Sequence, residues 1–213
     1  MRKSITLRVD KEGQVLVKAP YLVSNKTINN FVEKHKDWIE KKQNENKINN
    51  KKFEEWESFY YLWYEYLIIF DDWIKKLFFN WDNFLSPIKS QTELKKDFIN
   101  FYKKEAKKYI SERLEYISKM NNLKFNNYRI TSAKSRWWSC STKKNLNFTF
   151  RLIMAPKSTI DYVIIHELSH LKEMNHSKKF RKEVESMSKN VWLINYKNDK
   201  KWLKENGNKI SYV

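Results

Sequence analysis

Alternating and helically spaced apolar residues divide the chain into elements before any chemistry enters. Ile5, Leu7 and Val9 alternate with polar residues, Asp10 to Gly13 form a turn, and Val15 and Val17 alternate again, which predicts a β-hairpin. Over residues 27–43, Ile28, Phe31, Val32, His35, Trp38 and Ile39 recur at helical spacing, with His35 read as a packing or surface residue. Residues 44–52 are rich in Asn and Lys and read as a polar linker. The aromatic-rich stretch 53–90 predicts strands joined by turns, its rings filling a core. Leu94, Phe98, Phe101, Tyr102, Tyr109, Ile110, Leu114 and Ile117 mark a long amphipathic helix. Residues 128–152 read as two strands flanking Lys143-Lys144-Asn145, with Leu146 to Leu152 either an edge strand able to take up an extended peptide or part of an ordinary internal hairpin. The apolar run Ile160 to Ile165 predicts a buried helix, started by a loop at Pro156 and an N-cap at Ser158 or Thr159. Two further helices are expected around 177–189 and 197–205, and no internal repeat is present.

The buried helix runs directly into the chemistry. His166-Glu167-Leu168-Ser169-His170, followed by His176, places three of the four histidines in one short window. Histidines four residues apart lie about 40° from each other around a helix, so both can reach one metal ion while Glu167 projects beside it. This is the spacing of a zinc hydrolase site, with the glutamate as general base for water. On an unbroken helix His176 would sit about 240° away from His170. The chain is therefore expected to leave the helix between Lys172 and Asn175, with Asn175 suited to a left-handed turn. Metzincins share the His-to-His spacing but use glycine where this chain has Glu173. Tyr162, one turn before His166, is placed to donate to a developing oxyanion or to pack. Arg136 is placed to anchor its hairpin or to contact a carboxylate or phosphate.

Composition narrows the setting. A chain of 213 residues is long enough for one domain with a real core. No stretch approaches a membrane span, and the N-terminus has no continuous apolar run of a secretory signal. One cysteine, Cys140, excludes an internal disulfide and fits a reducing cytoplasm; it reads as a buried structural thiol. The formal charge of +18 favours non-specific attraction to nucleic acid at low salt. The lysines nevertheless accompany asparagine and isoleucine throughout, as in AT-rich coding sequence.

Ser135-Arg136-Trp137-Trp138-Ser139-Cys140-Ser141, Arg151 to Pro156, Asp161 to Leu171, then Asn175-His176-Ser177 and Phe180 follow in order. The series resembles the YgjP-like metallopeptidase family, relatives of the SprT-like zincins, whose hallmarks are S-R-W-G-S-C-S, D-Y-V-hydrophobic-hydrophobic-H-E-L-x-H-L and N-H-S-x-x-F. Val15 to Pro20 and Trp38-Ile39 resemble that family's start, so the likeness covers nearly the whole chain and is most specific over 128–180. It implies an α+β fold with a zincin-like metallopeptidase core. Residues 1–90 would form an N-terminal β-rich region with one helix, and residues 91–213 the catalytic region of one continuous family unit. The resemblance also implies Zn2+ held by His166, His170 and His176, Glu167 as general base, and a peptide or protein substrate. Some relatives carry a nucleotide-hydrolase label. A metal-dependent nucleoside triphosphate phosphohydrolase is therefore an alternative, although no Gly-rich phosphate loop is present. A non-catalytic basic nucleic-acid or protein-binding module is another, should Trp138 fill the cleft.

Two glycines and nine tryptophans form an unusual pair, since glycine averages about 7% of residues. Trp138 stands where the family hallmark has glycine, and Trp63 where the family has Y-L-G-K. Trp56, Trp73 and Trp81 fall at turn-like places. The expectation is that some or all of these five, Trp56 the weakest candidate, are UGA codons in a genome that reads UGA as glycine, the alternative being true divergence. Trp38, Trp137 and Trp202 match family tryptophans. A true tryptophan at positive φ would cost about 1–2 kcal/mol.

Overall fold

The computed structural model describes residues 4–10, 12–49, 51–133, 137–193, 195–210 and 212. The chain divides into two compact units, the first ending at Lys51 and the second starting at Lys52, and the secondary structure is mixed α+β. In the first unit β1 (Thr6–Val9) pairs antiparallel with β2 (Val15–Lys18), as the alternation requires. Helix α1 (Asn25–Lys34) is capped by Ser24, whose Oγ accepts from the Thr27 amide. Helix α2 runs Lys36–Asn49. The single helix expected over 27–43 is thus two, parted at His35, whose Nδ1 lies 2.7 Å from the Phe31 carbonyl oxygen and whose ring packs on Phe31. The expected linker at 44–52 is helical through Asn49. Lys, Glu and Gln are good helix formers, and no Gly or Pro interrupts the stretch. Its polar side chains are also used: Gln43 Nε2 donates to the Gly13 carbonyl and Asn46 Nδ2 to that of Asp10, fastening the hairpin turn.

The second unit starts with a four-stranded sheet in the order β3-β4-β6-β5, built from Ser58–Tyr61, Tyr64–Phe70, Phe84–Ser86 and Phe78–Phe79. Its aromatics form core as expected. Phe59 and Phe84 are fully buried, and Phe59 stacks on Phe98 of α3 (Gln91–Met120) at 4.1 Å between ring centroids. Helix α3 opens with a capping box between Ser90 and Glu93. It buries Leu94, Phe98, Tyr102, Ala106, Ile110, Leu114 and Ile117, a stripe spaced by three and four residues.

A three-stranded sheet follows in the order β7-β9-β8 (Asn127–Thr131, Asn145–Thr149, Trp138–Cys140), with β7 and β9 parallel. The edge strand expected at Leu146–Leu152 is instead the central strand β9, and the chain then turns into a buried 3-10 segment, Phe150–Met154. Periodicity identifies strands but not their order, and a third strand, β8, takes the edge. Arg151 lies inside this segment. Its Nη1 donates to the carbonyls of Ser132 and Ala133, and its guanidinium covers the Phe150 ring at 4.5 Å.

Helix α4 (Lys157–Ser169) is packed by α3, α5 (Lys178–Asn190), α6 (Tyr196–Asn206) and β8. Ile160, Val163, Ile164, Ile165 and Leu168 are all fully buried, so the helix is apolar almost all round. The expected N-cap at Ser158 or Thr159 does not form: the capping position is Pro156, which has no side-chain bond. Both hydroxyls donate instead to Asp199 Oδ1 of α6, at 2.7 and 3.0 Å. A carboxylate at a helix N-terminus complements the macrodipole, here supplied from another helix. Farther along α4, Asp161 accepts two bonds from Arg113 of α3, both 2.8 Å.

Arg113→Ala would leave the Asp161 carboxylate buried and unpaired. Its side chain is 14% exposed and that of Arg113 29%, so the expected loss in urea unfolding at pH 7 is about 2–4 kcal/mol, at or below the range for fully buried pairs. Burial already pushes Asp161 above its ordinary range against the pull of Arg113. A carboxyl with a raised folded-state pKa destabilises where it is ionised, so the deficit should shrink as pH falls through the carboxylate range.

Candidate metal centre

Helix α4 carries His166 and Glu167 in its last turn and His170 at its C-cap. The helix ends at Ser169, earlier than the expected exit between Lys172 and Asn175. The Leu171 amide bonds to the Leu168 carbonyl, and those of Lys172 and Glu173 to the Ser169 carbonyl. Asn175 is not among the described residues with positive φ, so the turn is made by this short hydrogen-bonded reversal rather than by a left-handed residue. Ser177 then caps α5 by accepting from the Phe180 amide, which brings His176 back over the end of α4.

The three imidazoles converge. Their ligand atoms all lie within 4.8 Å of one another, and His166 Nε2 and His176 Nε2 are 3.0 Å apart. Nitrogens sharing a tetrahedral metal at ordinary zinc–nitrogen distances stand about 3.3 Å apart, so this donor set fits one ion. Nδ1 of His170 lies 3.0 Å from the Glu173 carbonyl oxygen; with the proton on Nδ1, the bond leaves Nε2 free as a lone-pair donor. Burial, with the neighbouring histidines, pushes His166 down to about 3, and burial lowers His170 as well. Both are thus held neutral, the form that binds metal. The set runs from buried His170 through half-buried His166 to exposed His176, which leaves one side of the centre open.

Glu167 is 1% exposed, and its Oε2 has no hydrogen-bond partner among the described residues. Its Oε1 lies 4.0 Å from His166 Nε2, and burial pushes the carboxyl up to about 8. A buried carboxyl oxygen without a donor costs about 1–3 kcal/mol, which a water delivered at the centre would offset. Phe180, buried at the start of α5, touches all three imidazoles with ring centroids 4.5–4.9 Å away and lies stacked on His170.

Tyr162 packs against His166, with centroids 6.0 Å apart, and stacks on Tyr196 of α6; burial pushes its phenol up to about 12, so it stays protonated. Arg136 lies outside the described residues. Trp138, on edge strand β8, stands with its ring 6.1 Å from that of His166. Cys140, also on β8, is half-buried and outside the three-histidine group; burial and the nearby Glu167 carboxylate push its thiol up to about 11. Spacing alone did not reveal Phe180 as the platform of the centre, nor Arg113 and Asp199 as anchors of α4. Phe180 is visible only as a fixed distance from His176, and the anchors come from remote helices.

The family described as YgjP-like, metallopeptidase domain, matches residues 3–206. The chain belongs to the YgjP-like metallopeptidase family. No curated protein matches it. Among solved structures, the zymogen of the metallopeptidase abylysin from Pyrococcus abyssi is 22% identical with a TM-score of 0.36, covering 45% of this chain and 93% of its own. The zymogen of jannalysin from Methanocaldococcus jannaschii is 26% identical with a TM-score of 0.35, covering 43% of this chain and 95% of its own.

Two outcomes follow from this geometry. Phe180→Leu keeps an apolar side chain but loses the flat platform, and metal affinity measured by chelator competition should fall about 10–100-fold. Alkylation of Cys140 by iodoacetamide should keep accelerating to pH about 11, because the reactive thiolate forms only there. A plateau above pH 9 would show the thiol is unperturbed.

Proposed function

We propose that the chain is a zinc-dependent metallopeptidase. The observation that carries this reading is the pairing of three converging imidazoles with a buried carboxyl oxygen that lacks a partner among the described residues. Three histidine nitrogens and an open side suit zinc and match a catalytic rather than a closed structural site. When bound, the ion would supply a Lewis acid that polarises the scissile carbonyl and makes water a stronger nucleophile at neutral pH.

The chain's own groups divide the remaining work. His166, His170 and His176 act as ligands, with His170 oriented by the Glu173 carbonyl and all three braced by Phe180. Glu167 takes a proton from the attacking water and returns it to the leaving amine; its raised pKa favours both steps near neutrality. Among the described residues β8 is the outer strand of its sheet and Trp138 on it lies beside His166, where an extended peptide or protein segment can add as a strand. The Tyr162 phenol remains protonated and close to His166, in keeping with donation to a developing oxyanion. No helix among the described residues is long and apolar enough to cross a membrane. The free Cys140 thiol supports a cytoplasmic setting.

The test compares the zinc-loaded protein with Glu167→Gln and His176→Ala on unstructured protein substrates. Glu167→Gln should keep one zinc per chain and lose cleavage by a factor of about 100 or more. His176→Ala should lose zinc as well. Cleavage surviving in the Glu167→Gln protein, or a folded wild type that takes up no zinc, would sink the reading.

A further inference from the structure

Eight described residues other than glycine have a positive φ, and four of them are tryptophan: Trp56 (65°), Trp63 (71°), Trp81 (76°) and Trp192 (60°). Tryptophan supplies nine of 213 residues, so chance would place fewer than one among the eight, not four. Left-handed backbone brings Cβ against the following carbonyl, and only Gly, with Asn and Asp, visits it routinely. Asn and Asp compensate through a short polar side chain that bonds locally, which an indole on a methylene cannot do.

Each of the four sits where a turn demands that geometry. Trp56 is the third residue of a turn closed by the Glu57 amide on the Glu54 carbonyl; with Glu55 at ordinary φ this is a type II turn, whose third position calls for glycine. Trp63 is the second residue of the two-residue loop joining β3 and β4, where both residues have positive φ, the hairpin that favours Asn-Gly and Asp-Gly. Its amide and that of Leu62 bond to the carbonyls of Met154 and Ile153, so the loop is pinned and cannot relax. Trp81 lies in the tight loop between β5 and β6, closed by the Asn80 amide on the Asn83 carbonyl.

Trp192 has a control within the same chain. At the end of α3 the Leu123 amide bonds to the Ser118 carbonyl and the Asn122 amide to that of Lys119, with Asn122 at φ 51°. At the end of α5 the Leu193 amide bonds to the Ser188 carbonyl and the Trp192 amide to that of Lys189. These are the same Schellman cap, in which glycine is usual, Asn is tolerated and tryptophan is out of place. Packing offers little compensation at three of the sites: Trp56, Trp81 and Trp192 are 62%, 73% and 83% exposed, and Trp81 touches only the Phe79 ring at 5.5 Å among the described aromatic contacts.

We infer that the protein made by its own cell carries glycine at positions 56, 63, 81 and 192, encoded by UGA and read there as glycine. That accounts for the placement of the four and for part of the scarcity of glycine and the excess of tryptophan. Trp73 and Trp138, expected in the same set from their sequence positions, do not have positive φ, so the backbone makes no such demand on them. Trp192 joins the set from its backbone alone.

Peptide mapping by mass spectrometry of the protein from its source cells decides the matter. The peptides spanning 56, 63, 81 and 192 should each be lighter by the difference between an indolylmethyl group and a hydrogen, while those spanning Trp38 and Trp202 keep tryptophan. Tryptophan at the four positions in the native protein would overturn the inference. In recombinant protein, combining Trp56→Gly, Trp81→Gly and Trp192→Gly should raise Tm by about 2–4 °C per site relative to the all-tryptophan chain; Trp63 is left out because its ring also packs on Tyr60 and Trp202. Trp202→Gly, inside α6, should lower it. A combined variant that melts no higher than the all-tryptophan chain would also count against the inference.

Discussion

The burial of α4 is the constraint on which the rest of the catalytic unit depends. A helix sealed by apolar neighbours must still deliver polar groups at its C-terminal end, and each polar group it carries inside must find a partner. Ser158 and Thr159 find Asp199, Asp161 finds Arg113, and Ser169 donates back to the Ile165 carbonyl. These contacts come from α6, α3 and the helix itself, so the neighbours that exclude water from α4 also fix its axial position. Among the described buried side-chain oxygens of this helix only Glu167 Oε2 is left over, and the other oxygen of that carboxyl lies 4.0 Å from His166 Nε2.

Metal centres of this kind depend on rotamers as much as on residue types. His166 and His170 are set by a helix that cannot rotate, and His170 is further fixed through the Glu173 carbonyl. Phe180 fills the floor between the three rings, so none can swing inward. The resulting site is rigid on its buried side and open on the other, which suits a substrate arriving along β8.

Much of this was legible in the residues. The hairpin at the start, the aromatic strands, the amphipathic α3 and the ligand helix all announce themselves through spacing, because each buries one regular face. The three histidines are equally plain, since only a helix followed by a reversal brings them together. Three kinds of feature were not legible. Strand order is not legible because β8 is short and carries no alternation, so nothing in the residues marks it as the edge. The second half of helix α2 reads as linker because Asn and Lys are polar, although neither stops a helix in the absence of Gly or Pro. The anchors Arg113 and Asp199 lie about forty residues or more from their partners, a separation no local pattern reports. Trp192 escaped notice because a cap is a property of φ, invisible until the backbone is traced.

His176 lies on a short segment fixed at both ends, by the last turn of α4 and by the Ser177 cap of α5. A tether this short leaves little entropy to lose when its imidazole closes on an ion held by the other two. The donor set therefore spans from the core to the surface, with His170 buried, His166 partly so and His176 exposed, and the histidine nearest solvent is the one that α4 and its anchors do not hold.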